Sequence, residues 1–189
     1  MSDYTEAMLD IETLDTEDTT VVYQIGLIVF KQDVLLYSKE FDLSIQEQLD
    51  AGRTVSESTL AFHMQSPRGL AQSLHNPMKS SVHTVYEALQ NVKNAFRPKY
   101  WWSKGRFDYE VLEDLMASYE PVWQWYQKME LRTLIRETGV DKVEPDHTAL
   151  SDCLLQLNQL NLCRSVINGS ARDESQERDQ QDSTQADTE

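Results

Sequence analysis

The stretch Thr19 to Phe30, TTVVYQIGLIVF, limits the architecture more than any other part of the chain. It is rich in β-branched and aromatic residues and apolar on both faces, so it reads as a strand buried inside a sheet. Lys31-Gln32-Asp33 is a turn, and Val34 to Leu43 alternates loosely as a second partner, which makes an antiparallel hairpin. Upstream, Ala7 to Leu14 (AMLDIETL) alternates apolar and acidic residues as a strand with one apolar face. Side chains on a strand repeat every second residue, so Asp10 and Glu12 point the same way. Two adjacent like charges raise one pKa unless a cation lies between them. An oxygen-only carboxylate pair suits a hard ion such as Mg²⁺ or Mn²⁺. Read alone, the stretch is equally an edge strand with a solvated acidic face.

Helices follow the strands. Ser44 to Asp50 and Ser56 to Gln65 read as short helices, Pro67 interrupts, and Arg68 to Leu74 is a further turn of helix. Ser80 or Ser81 caps a clearer helix whose Val82, Val85, Tyr86, Leu89, Val92 and Phe96 recur at three and four, ended by Pro98. Lys99 to Ser103 is a short aromatic strand before Gly105. Phe107 to Tyr119 is a helix carrying Asp108 near its N-terminus. There the dipole favours an acid, and a plain cap is the simpler reading. A last strand falls within Val122 to Met129, a helix spans Leu131 to Thr138 before Gly139, and a final helix runs from about Ala149 to Arg164. Asp146 or Thr148 caps that helix. Its apolar stripe is Leu150, Leu154 and Leu157, with Asp152 off the stripe and His147 just outside the helix start.

The chain has 189 residues and a net charge of −15. This fits one domain over 1–167 with a full core, followed by a disordered acidic tail over 168–189. The charge argues against a general basic surface for long duplexes, so nucleic-acid contacts must be local or helped by bound cations. No window is long and apolar enough for a membrane span, and the N-terminus lacks a signal pattern. The expected location is therefore the cytoplasm, with no membrane partner. Cys153 and Cys163 share one apolar helical segment and read as reduced core residues.

Three segments together carry a resemblance that none carries alone: Leu9-Asp10-Ile11-Glu12-Thr13, Gly105-Arg106-Phe107-Asp108 and His147-Thr148-Ala149-Leu150-Ser151-Asp152. In order, spacing and setting they resemble the DnaQ-like (DEDDh) 3′–5′ exonucleases of the ribonuclease H-like superfamily, over about residues 6 to 165. The similarity is greatest to small phage and bacterial members. Ser58-Thr59-Leu60 with Gln65-Ser66, and Leu131-Arg132-Thr133-Leu134, look like segments of that subgroup. The chain departs from the pattern at Asp15, Phe62 and Lys104, where such relatives usually carry glycine, tryptophan and asparagine.

The resemblance implies an α/β fold, a ribonuclease H-like mixed five-stranded sheet flanked by helices. It implies two Mg²⁺ or Mn²⁺ ions held about 3.5–4 Å apart by Asp10, Glu12, Asp108 and Asp152, with His147 as general base. The reaction would release nucleoside 5′-monophosphates from 3′ ends of single-stranded DNA or RNA. Thr13, Leu14 and Phe62 would pack on the terminal nucleotide, and His63, Lys104, Arg106 and Arg132 would meet phosphates. A homodimer is compatible with this, and the acidic tail offers a surface for protein partners. Two alternatives stand beside it: a non-catalytic binding module on the same fold, and an oligoribonuclease restricted to very short RNA.

Overall fold

The computed structural model describes residues 3–65, 68–145 and 147–186, with side chains described as far as residue 169. Five strands form one sheet: β1 (Glu6–Thr13), β2 (Val22–Lys31), β3 (Val34–Asp42), β4 (Tyr100–Ser103) and β5 (Lys128–Glu130). Their order is β3-β2-β1-β4-β5. Strand β2 runs antiparallel to both β1 and β3, whereas β4 and β5 run parallel to β1. This is the mixed α/β sheet expected of the chain.

Alternation along β1 and β2 decides what covers each face. Ala7, Leu9 and Ile11 of β1 join Ile25, Leu27 and Val29 of β2 in one core, closed by α4 (Val82–Phe96) and α5 (Arg106–Leu115). Met8 joins Ile28 and Phe30 in a second core on the other face. That core is closed by α6 (Leu131–Thr138) and α7 (Ala149–Ala186). A third cluster, Leu14, Val21, Tyr23 and Leu70, seals one end of the sheet. There α1 (Ile45–Asp50) contributes Ile45, and α3 (Arg68–His75) follows α2 (Glu57–Gln65).

Local signals held where they were strong. Ser44 and Ser81 cap α1 and α4 through their side chains, and Gly139 ends α6 in the left-handed region at φ +69°. Pro67 and Asp146 lie outside the described residues. Three readings change. Helix α5 stops at Leu115, and β5 starts only at Lys128 and runs one residue past the expected stretch to Glu130. The backbone of α7 continues past Arg164 to Ala186, over a stretch with no proline to stop it. The buried face of α7 includes Leu157, with Leu150 packed partly against it, but not Leu154. Leu154 is 38% exposed, and the inner face holds Ala149, Asp152, Cys153, Gln156, Leu157, Gln159, Leu160 and Cys163. Both cysteines are free and buried, as expected. No helix among the described residues is long and apolar enough to cross a membrane.

Helix α7 meets the sheet by backbone contact. A Cβ on Gly26, which stands opposite Asp10 in the β1–β2 register, would lie 2.2 Å from the Ala149 carbonyl oxygen. No backbone atom can yield that far in place. Gly26→Ala is therefore expected to lift the N-terminus of α7 off the sheet and cost about 1–3 kcal/mol. Urea unfolding of the purified variant measures this, and an unchanged midpoint would refute the close contact.

Candidate active site

Four carboxylates from three parts of the chain meet where β1 passes under α7 and beside the start of α5. Asp10 and Glu12 come from β1, Asp108 from the first turn of α5 and Asp152 from the first turn of α7, and all four are buried. Ligand atoms of Glu12, His147 and Asp152 lie within 4.8 Å of one another. Asp10 feels the charges of Asp108, Glu12 and Asp152.

The electrostatics are those of uncompensated acids. Burial, then the charges of Asp108, Glu12 and Asp152, hold the Asp10 carboxyl well above the usual carboxylate range. Burial and the Asp152 charge push Glu12 up to about 8. Burial pushes Asp108 up to about 7, against hydrogen bonds from Ser103 and Gly105 and the more distant charges of Arg132 and Lys104. Neutral donors serve Asp10 and Glu12: the Gln156 amide donates to Asp10 at 2.6 Å and the Tyr23 hydroxyl to Glu12 at 3.4 Å. A third acid on the same face of β1 makes the contrast. Glu6 is also buried, yet it accepts from Arg164 and from the Trp102 indole, at 2.6 and 2.7 Å. Among the described residues, no ion pair of this kind reaches Asp10 or Glu12.

The start of α7 is held by tertiary partners. Gln24 on β2 accepts from the Ala149 N–H at 2.9 Å and donates to Asp42 at 3.1 Å. Glu40 on β3 accepts from the Leu150 N–H at 3.1 Å. These side chains satisfy N–H groups that a helix N-terminus leaves unpaired. His147 sits at φ +57°, in the left-handed region that non-glycine residues seldom occupy. Its carbonyl oxygen would lie 1.8 Å from a Cβ on Gly69, so α3 can press against it only through glycine. Its ring meets Phe62 edge-on, with centroids 5.2 Å apart.

Beside Glu12 opens a groove of about 370 Å³, formed by Ile11, Glu12, Thr13, Asp15, Phe62 and Phe107 among others. Such a volume suits one small-molecule-sized group. Phe62 stands 48% exposed on its wall. Leu14, expected to stack on a base, is 4% exposed and packs with Val21, Tyr23 and Leu70; its side chain faces a core, not the groove. His63, expected at a phosphate, is buried, with its Nε2 2.8 Å from the Thr13 carbonyl oxygen. It braces the Thr13 segment, and it also lines the groove beside Phe62. Arg106 is exposed and paired with Glu110 at 2.6 Å, while the Arg132 guanidinium lies against Gly105. Gln156, Tyr23, Gln24, Glu40, Ile11 and Phe107 join the site or its support without having been foreseen. The spacing of Gln156, one turn after Asp152, was the available signal.

Residues 5–163 match the family described as the 3′-5′ exoribonuclease Rv2179c-like domain. The chain belongs to this family. It is a 3′–5′ exonuclease, as the three acidic segments imply. No curated protein matches this sequence. Among solved structures, S. pombe Pop2p in its Mg²⁺- and Mn²⁺-bound form is 13% identical, with a TM-score of 0.59 over 86% of this chain and 83% of that one. A full-length 3′-exonuclease is 12% identical at a TM-score of 0.54, covering 89% and 84% of the two chains. E. coli exonuclease I, solved with an oligonucleotide, is 15% identical at 0.51. There 87% of this chain spans only 41% of that enzyme. At such identities these likenesses show a shared fold between the Rv2179c-like domain and those exonucleases.

The raised carboxyls give the Rv2179c-like domain a distinctive pH response. Unfolded, these acids titrate near pH 4. Folded, Glu12 and Asp108 hold their protons to about 8 and 7. Between those limits the folded state binds more protons, so stability falls as pH rises. In chelator, the melting temperature is expected to drop from pH 5 to pH 8. Asp10→Asn or added Mn²⁺ should flatten the slope. A melting temperature that climbs over this range contradicts the reading.

Proposed function

We propose that this protein removes nucleoside 5′-monophosphates from the 3′ end of single-stranded RNA, using two divalent cations and His147 as general base. The observation that carries this is the gathering of Asp10, Glu12, Asp108 and Asp152 in a buried cluster, with Asp10 and Glu12 served by neutral donors. A fold gains nothing from such repulsion unless cations enter from solution. The donor set is all oxygen and anionic, which fits Mg²⁺ or Mn²⁺. Asp10, Glu12, Asp108 and Asp152 would hold the ions. Once bound, these supply charge neutralisation at the scissile phosphate and make a water molecule acidic enough to attack.

The chain's own groups do the rest. His147, against Glu12 and Asp152, accepts the proton of the attacking water at its ring nitrogen. The groove beside Glu12 receives the terminal nucleoside, with Phe62 stacking on its base and Thr13 along its edge. Arg132 and Lys104, whose charges reach Asp108, would meet the preceding phosphate. An enzyme that holds only the last nucleotides of a strand needs few basic contacts, which accommodates the net charge of −15. The family description supports RNA as the substrate, and the dT13 oligonucleotide in the exonuclease I structure supports only a single-stranded end.

The test is digestion of matched 5′-labelled RNA and DNA single strands with Mn²⁺. Stepwise shortening of RNA is expected, with Asp108→Ala inactive. His147→Ala should lower kcat by about 10²–10⁴. Intact RNA bound without turnover would overturn the proposal. Phe62→Ala is expected to raise KM, removing stacking worth about 1–3 kcal/mol; an unchanged KM would place the base elsewhere.

A further inference from the structure

Gln156 lies one helical turn after Asp152 on α7, so both side chains share the face that covers β1. It is only 3% exposed. Its Nε2 donates to Asp10 Oδ1 at 2.6 Å. Its Oε1 is buried and meets no donor. A buried amide oxygen left unpaired costs about 1–3 kcal/mol. A leucine there would fill the space without that cost, so packing does not account for a glutamine. The surrounding groups are carboxylates, which are acceptors when ionised. Once a cation holds those acids ionised, no donor remains for this oxygen among the described side chains, and one must come from outside them. Among the described residues Glu6 Oε1 is the other such atom, but its carboxylate already has Arg164 and Trp102.

We propose that Gln156 is a positioning residue for cation binding. Its Nε2 fixes the orientation of Asp10, and its Oε1 accepts from a water that enters with the cation. The amide is neutral, so it orients the carboxylate without competing for the ion's place as a lysine or arginine would. It thereby acts as a supporting partner that aims a metal ligand and tunes it. This inference rests on the two-cation reading above.

The test measures Mn²⁺ binding to the protein alone, by the electron paramagnetic resonance of free Mn²⁺, alongside turnover on labelled RNA. Gln156→Met, with Gln156→Leu as a second variant, is expected to weaken Mn²⁺ binding about 10- to 100-fold. The loss in kcat should recover with excess Mn²⁺, and KM for RNA should hold. A purely structural role would lower the melting temperature without moving the Mn²⁺ isotherm. In ¹⁵N-labelled wild type, Mg²⁺ should shift the Gln156 side-chain amide resonance, a readout that needs no variant to fold. An unshifted resonance, or Mn²⁺ affinity within twofold of wild type in a folded variant, overturns the role of Gln156. Asp108→Ala separates the two levels. If it too binds Mn²⁺ like wild type, the two-cation reading falls and this role with it. If it is defective while Gln156→Met is not, only the role of Gln156 falls.

Discussion

Mutual repulsion among buried carboxylates is the constraint around which this molecule is arranged. Burial and like charge act in the same direction on Asp10 and Glu12. In an otherwise well-packed domain, such a concentration of charge is a stability loss that something must maintain. What maintains it is the rigidity of the surrounding sheet. Strand β2 is buried along nearly its whole length, and β1 is held between β2 and β4. The side chains on β1 have no freedom to swing away from one another.

The same strand shows the chain distinguishing two uses of an acid. Glu6, Asp10 and Glu12 face α7, with Met8 between the first two. At the far end Glu6 receives a guanidinium, which makes it a fastening between β1 and α7. At the near end the helix presents an amide and another acid, Gln156 and Asp152. One helix thus fastens at one end and leaves negative charge at the other. The difference lies in which side chain stands at each turn of α7.

How much of this could be read from residues alone follows from the physics of each part. The buried strand, the hairpin, the serine caps and the glycine stop were legible because each depends on neighbours in sequence. The acid-x-acid strand was legible because period two is unambiguous. Only part of the inner face of α7 is legible from apolar spacing, because Asp152, Gln156 and Gln159 share it with Leu157 while Leu154 turns outward. The burial of Leu14 has no such signal. Whether a side chain beyond a strand end turns to the groove or to a core depends on α1 and α3, whose packing no local pattern reports. The supports Gln24 and Glu40 lie 125 and 110 residues from the N–H groups they accept from, beyond any local signal.

Two glycines set the separation between the third acidic segment and the rest of the centre. Gly26 admits the Ala149 backbone and Gly69 the His147 backbone, main chain against main chain. A spacing gauged by peptide groups does not depend on the volumes of the side chains packed elsewhere. Leucines, valines and aromatics of the two cores can therefore be exchanged over time while the aperture between β1 and α7 keeps its width. Drift in the interior and constancy at the mouth become separable properties of the same chain.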